Sequence, residues 1–343
     1  MKKILVALIS LSLCFISCSN KKQTQVGTSA FQSEKRITIG YSIDTLAIER
    51  WRRDCDVFLN TAKELNADVI VQNAGNSIEG QIKQIEYLIT RKVDVIVIVA
   101  KKDDSLTDVI KLARSKGIPV IAYDRLIRNA DISLYMTIDS SLVGELMAKE
   151  LIKQKAFGTW YCIYGSKEDY NMEMINNGIK RVIAGSPVKI GYIYYTPGWN
   201  YDLSYKEMTR LLKDGKIPDV VISGNDAVAN SVIQAISEIC PNEEITIAGQ
   251  DADIAGCQNV VNGKQLVTIY KPITQLAEQA ARCAVKLSQG QTPEELGMTT
   301  QVINNGYADI PVVYLTPTAV TKDNIDEVVI KSGFHTKGEI YRQ

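Results

Sequence analysis

The sequence predicts an α/β fold of two doubly wound parallel-sheet lobes joined by about three hinge crossovers. Three observations carry this. Strand-like and helix-like segments alternate almost without break from residue 37 to residue 315. Several strand segments are solidly apolar, such as "VDVIVIVA" (93–100), where a sheet with one wet face would alternate. The 343 residues exceed one ordinary core and suit two domains.

The chain opens with a targeting segment at 1–17. Met1-Lys2-Lys3 is basic, and Ile4 to Ile16 is apolar but short for a bilayer span. It ends in "FISCSN", which resembles a bacterial lipoprotein signal with cleavage before Cys18 and lipid on its sulfur; Phe15 stands where that pattern usually has Leu. Residues 18–35 then read as a lipidated cysteine and a polar, flexible tether.

The first set of strands is "ITIGYSI" (37–43), "DVIVQNA" (68–74), "VDVIVIVA" (93–100), "IPVIAYD" (118–124) and "LYMTID" (134–139). Between the first two, Trp51, Cys55, Phe58, Ala62 and Leu65 mark one helical stripe. Ile78, Ile82, Ile85 and Ile89 mark the next. "SLTDVIKLARSKGIP" (105–119) reads as a helix capped by Ser105 with Asp108 three residues on, closed by Gly117 and Pro119. The second set is "WYCIYG" (160–165), "KIGYIYY" (189–195), "DVVISG" (219–224), "ITIAGQ" (245–250) and "LVTIY" (266–270). A long helix after Lys271, a Thr-rich stretch and "VVYL" (312–315) read as late segments that complete each domain in turn. This divides the chain into an N-terminal lobe (36–140 plus 272–308) and a C-terminal lobe (141–271 plus 309–335), with a cleft between them.

Composition excludes several classes. With 39 basic and 39 acidic residues, the formal net charge is zero, so no global field attracts nucleic acid or an anionic membrane. The one histidine, His335, lies near the C-terminus, which speaks against histidine metal sites and His-dependent triads; no metal and no cofactor is expected. Beyond the signal, Cys55, Cys162, Cys240, Cys257 and Cys283 are scattered without a CxxC pair. They read mostly as small buried residues, with room for one oxidised pair.

Ligands of open parallel sheets bind outside the carboxyl ends of the strands. Those ends carry Asp44 with Glu49-Arg50-Trp51, then Asp124-Arg125, Asn171 in "GSKEDYN", Trp199 in "YYTPGWN", Asn225-Asp226 in "SGNDA", Asp251 in "GQDAD" and Lys271 in "YKP". No GxGxxG follows the first strand and no GxxxxGK[ST] occurs, which argues against a nucleotide. Carboxylates accept hydrogen bonds, Arg and Lys donate, and Asn does both; hydroxyls need both kinds, and indole faces suit the C–H faces of a sugar ring. The inventory fits an uncharged carbohydrate.

Each residue also has a plainer reading. Asp253 reads as a helix N-cap, Asp226 equally as a cap, and Asp44 as turn or cap. Trp51 lies on the helix stripe, Arg125 alone suits a surface or structural ion pair, and Glu168 and Asp169 look like loop solvation. Taken jointly, six strand ends with directional polar groups favour a binding site.

"ERW", "AYDR", "SGNDA", "AGQDAD", "YKPIT", "MTIDSSLVGELMAK" and "VIKSGFH" together resemble the D-xylose-binding proteins of bacterial ABC sugar importers, over roughly residues 36 to 336. The resemblance implies the type I periplasmic-binding-protein fold and a monomer that closes on a monosaccharide and presents it to an ABC permease. It implies that Arg50 and Lys271 donate to ring hydroxyls, and that Asp124 and Asp251 accept. Arg125, Asn171 and Asn225 complete the network, while Trp51 and Trp199 sandwich the ring. The region 161–201 departs from the family in being Tyr-rich, with Tyr194 or Tyr195 near a position where some members carry a second tryptophan.

High-affinity extracytoplasmic capture of D-xylose is therefore the expected function. Ribose, arabinose, glucose and galactose are alternative ligands, and a membrane kinase or chemoreceptor is an alternative partner. A repressor with this core needs a helix-turn-helix where the signal stands. A glycosidase needs Asp124 and Asp251 as an acid/base pair, yet the two belong to different lobes. No enzymatic activity is expected.

Overall fold

The computed structural model describes residues 36–298 and 301–342; the signal segment, Cys18 and the tether lie outside them. Two sheets organise the chain. The first contains β1 (Ile37–Ile43), β2 (Ala67–Asn73), β3 (Val95–Val99), β4 (Val120–Tyr123) and β5 (Leu134–Ile138), with β11 (Gln301–Asn304) and β12 (Asp309–Leu315). Its order is β11-β12-β5-β4-β3-β1-β2. The second contains β6 (Gly158–Tyr164), β7 (Val188–Tyr195), β8 (Val220–Ser223), β9 (Thr246–Gln250), β10 (Val267–Tyr270) and β13 (Thr318–Val320), in the order β13-β10-β9-β8-β6-β7.

All pairs are parallel except the β11–β12 hairpin and β13 against β10. Helices cover both faces, which is why the five residues of β3 are all buried.

The helices follow the apolar stripes. Helix α1 (Glu49–Glu64) buries Trp51, Cys55, Phe58 and Ala62. Helix α2 (Ile78–Thr90) starts where Ser77 accepts from Gly80 N. Helix α3 (Thr107–Ser115) differs from the sequence reading. Its N-cap is Leu106, and the Ser105 hydroxyl instead donates to Lys102 O, so the serine closes the preceding turn.

In the second lobe, α4 (Ser140–Gln154) and α5 (Tyr170–Ile183) pack backbone to backbone. A Cβ on Gly144 would fall 2.1 Å from Ile175 O, and one on Gly178 2.0 Å from Ser141 O, so only glycine permits this crossing. Helices α6 (Tyr201–Lys213), α7 (Asp226–Ile239) and α8 (Ile254–Val261) complete that lobe, while α9 (Ile273–Ser288) packs against α1 of the first.

The chain passes between the sheets three times: from β5 into α4 at Asp139, from β10 into α9 at Lys271-Pro272, and from β12 into β13 at Thr316-Pro317. The first and third passages run side by side, with Asp139 N donating to Leu315 O at 3.1 Å.

One segment lies elsewhere than the sequence reading had it. Residues 309–315 were expected in the C-terminal lobe, but β12 belongs to the first sheet. There it pairs in parallel with β5 from Val312↔Tyr135 to Leu315↔Ile138. Ile310, Val312 and Val313 are buried in that position, and the chain changes lobe only after Leu315.

The five cysteines among the described residues are free thiols; all but Cys240 are buried.

Candidate functional site between the lobes

All nine candidate residues line one cavity: Arg50, Trp51, Asp124 and Arg125 from the first lobe, Asn171, Trp199, Asn225, Asp251 and Lys271 from the second. Each sits at the carboxyl end of a strand or in the turn or first helical turn that follows. The backbone there is strained to aim side chains. Asp124, Trp199 and Asp251 have φ of 63°, 58° and 95°, in the left-handed region that non-glycine residues avoid. Flanking bonds hold them: Asp124 N donates to Met136 O at 2.7 Å and Asp251 N to Ile269 O at 2.9 Å.

Charge is balanced across the cavity. The Arg50 guanidinium is paired with Asp124, has Asp54 at 3.7 Å one helical turn behind it, and faces Asp251 of the other lobe at 3.9 Å. Lys271 Nζ lies 2.9 Å from the same Asp251 oxygen. Burial opposes ionisation of Asp124, but Arg50, Lys271 and Arg125 outweigh it and hold its carboxyl below the usual range. Asp54, wholly buried and accepting from Tyr123 OH, is pushed by burial up to about 7 against the pull of Arg50.

Arg125 is a hub. Its Nη1 donates to Asp44 Oδ2 at 2.5 Å and to Ala100 O at 2.9 Å, and its Nε lies 2.8 Å from Asp169 Oδ2 of the opposite lobe. Both guanidinium groups also face the Trp51 ring, Arg50 at 4.6 Å and Arg125 at 5.3 Å from its centroid. Trp199 lies in the short 3₁₀ turn Pro197–Trp199 and packs on Gly165, where a Cβ would come within 2.1 Å of the indole.

The lobes are closed on one another. Asn171 Nδ2 donates to Asp124 Oδ1 at 3.0 Å, and Asn76 Nδ2 to Gly198 O at 3.2 Å. Among the lining residues, Asn171 Oδ1, Gln250 Oε1 and both indole Nε1 atoms are buried without a hydrogen-bond partner among the described residues. Such atoms are costly unless something polar meets them, which is a signature of a site for a polar ligand.

Residues 39–292 match the family model described as "Periplasmic binding protein domain". The chain belongs to the periplasmic binding protein family. Among its relatives, the D-xylose-binding periplasmic protein of Haemophilus influenzae is 40% identical over 318 residues, covering 91% of this chain and 95% of that one. The D-xylose-binding periplasmic protein of Escherichia coli K12 is 39% identical over 329 residues, covering 94% and 97%. A solved ABC transporter solute-binding protein from Clostridium phytofermentans with bound β-D-glucose superposes with a TM-score of 0.80 at 28% identity, covering 88% of this chain and 99% of that one. The two lobes and three passages described above are thus a periplasmic binding protein fold.

Asp253 stands at the N-cap of α8, but its side chain makes no capping bond; its backbone N donates to Asp226 Oδ2 at 3.0 Å. Asn225, not Asp226, caps α7, accepting from Val228 N at 2.9 Å. Asp226 is wholly buried, accepting from Gln265 Nε2 at 2.8 Å and Thr268 Oγ1 at 2.7 Å, and burial pushes its carboxyl up to about 7. Asp44 is an ion-pair partner rather than a cap.

Glu168 and Asp169, read as loop solvation, both pair with bases of the first lobe. Ile48, Asp169, Met172 and Gln250 join the lining unforeseen. Gln250 ends a strand and was open to the same inference. Neither Tyr194 nor Tyr195 is among the cavity's lining residues. Tyr201 is the tyrosine beside the site, its hydroxyl accepting from Asn225 Nδ2 at 3.4 Å.

Proposed function

We propose that this protein captures a monosaccharide outside the cytoplasm, D-xylose before other pentoses and hexoses, and delivers it to an ABC permease. The observation that carries the reading is a single cavity to which both lobes contribute interleaved donors and acceptors, with two tryptophans among them. Asp124 and Asp251 accept from ring hydroxyls, and Arg50, Arg125 and Lys271 donate. Asn171 and Asn225 do both, and the indoles of Trp51 and Trp199 pack on the ring. A sugar lacking one hydroxyl leaves a buried partner unpaired, at about 1–3 kcal/mol or more for a charged group, which is the basis of discrimination. The names of the two relatives quoted at 40% and 39% identity favour xylose.

Capture proceeds by hinge motion at the three passages, and the closed lobes form the face a permease meets. No bond is made or broken. Asp124, held ionised by Arg50, is unsuited to the proton donation that glycoside hydrolysis requires. The "FISCSN" segment supports export with a lipid anchor at Cys18, so that the membrane is met through lipid alone.

A thermal-shift panel of pentoses, hexoses and polyols tests the ligand class. D-xylose is expected to raise the melting temperature most; equal stabilisation by chemically unrelated solutes, or by none, contradicts the reading.

A further inference from the structure

Beside the cavity, an ion pair that does not line it, Lys101 with Glu168, lies next to the Arg125–Asp169 pair that does. The loop from Ser166 to Asp169, between β6 and α5, belongs to the second lobe. It turns two consecutive acids toward the first lobe, and two bases at strand ends there meet them. Lys101, after β3, places Nζ 2.6 Å from Glu168 Oε2; Arg125, after β4, places Nε 2.8 Å from Asp169 Oδ2.

The bases are held from behind by their own lobe. Lys101 N donates to Gln81 Oε1 at 2.8 Å, and Gln81 is itself buried and donates to Val99 O at 2.8 Å. Asp44 holds Arg125 from the other side. The acids are held too, Asp169 by accepting from Asn171 N at 3.0 Å as the cap of α5. Both pairs join the lobes, so an opening hinge must break them, whereas the bonds that hold each base and acid lie within its own lobe.

We infer that the 166–169 loop is a clamp: Glu168 against Lys101, beside Asp169 against Arg125, sets how long a bound sugar is retained. This rests on the proposed sugar-binding function. Lys101 and Glu168 do not line the cavity, so they act on retention and not on which hydroxyls are read. Interactions formed only in the closed state slow its reopening, and so they enter the dissociation rate. Lys101 is buried while the Glu168 side chain is partly exposed, so the pair is only partly screened by salt.

The test is stopped-flow dissociation of D-xylose from wild type, Lys101→Glu, Glu168→Lys, the double swap, and Glu168→Gln, which keeps shape and guards against misfolding. Each single swap is expected to speed dissociation about tenfold. The double swap should return it to within about threefold of wild type, and the ranking of D-xylose over D-ribose and L-arabinose should stay fixed throughout. Rising salt should speed release from wild type more than from Glu168→Gln, which retains only the more deeply buried Arg125–Asp169 pair. Dissociation rates within twofold of wild type in every variant, or a double swap no slower than the singles, overturn the clamp.

If wild type itself binds none of these sugars, the functional reading fails, and small-angle scattering of the sugar-free proteins decides the clamp. Radii larger in the single swaps than in wild type and the double swap support it, and equal radii overturn it.

Discussion

Asn171 Nδ2 donates to Asp124 Oδ1 at 3.0 Å, a bond between the second lobe and the first. Both residues are buried, and Asn171 retains an oxygen with no partner among the described residues. One side chain thus serves closure and, in the proposed function, a sugar hydroxyl. Asn171→Ala removes both and leaves an Asp124 oxygen without that donor. The expected loss is about 1–3 kcal/mol of binding, or roughly fivefold to 150-fold in Kd. Calorimetric titration with D-xylose checks this; an unchanged Kd removes Asn171 from the site.

Gly165 makes room for Trp199. A methyl group there would sit 2.1 Å from the indole, and the ring must move. Gly165→Ala is expected to cost about 1–3 kcal/mol of stability through overpacking and, by displacing the ring, to weaken sugar binding about fivefold or more. Fold should be preserved by far-ultraviolet circular dichroism. Wild-type affinity in this variant shows that Trp199 does not hold the sugar.

Asp54 gives a pH signature. Burial raises its folded-state pKa to about 7, above the ordinary value near 4 of an unfolded chain. Between those values the folded state holds a proton that the unfolded chain has released. Raising pH through that window therefore lowers stability, and the loss is complete above about 7. Asp54→Asn removes the titration and still accepts from Tyr123 OH. Its melting temperature relative to wild type should accordingly rise between pH 5 and pH 8, at about 1.5–2 °C for each kcal/mol relieved. Scanning fluorimetry across pH checks this; parallel profiles show that Asp54 does not titrate in the window.

Cys18 carries the anchoring claim. Cys18→Ser is expected to move the protein from the membrane fraction to the soluble fraction and to abolish incorporation of labelled palmitate in cells, since stable anchoring comes from acyl chains. Equal membrane association of the two forms contradicts a lipid anchor there.

Much of the fold and of the site is legible in the sequence. The strand ends could be found because a parallel sheet covered on both faces writes its strands as unbroken apolar runs, as in 95–99, and stops them with polar residues. Once the ends were known, topology alone brought Asp124 and Asp251 to one cleft.

What escaped depended on partners distant in sequence. Nothing within Asp309–Leu315 states that its neighbour is β5 and not the second sheet. Glu168 and Asp169 resemble any solvated loop until Lys101 and Arg125 are placed opposite them. Asp253 and Ser105 had the local form of caps, and tertiary bonds and turn geometry took precedence.

In the proposed function one sugar is gripped from both lobes around Asp251, which faces Lys271 at 2.9 Å and Arg50 at 3.9 Å. The most direct measurement is isothermal titration of wild type and Asp251→Ala with D-xylose, D-ribose, L-arabinose, D-glucose and D-galactose. One-to-one binding that is tightest for D-xylose and lost in the variant is expected. Absence of heat with all five sugars, or undiminished binding by Asp251→Ala, contradicts that function.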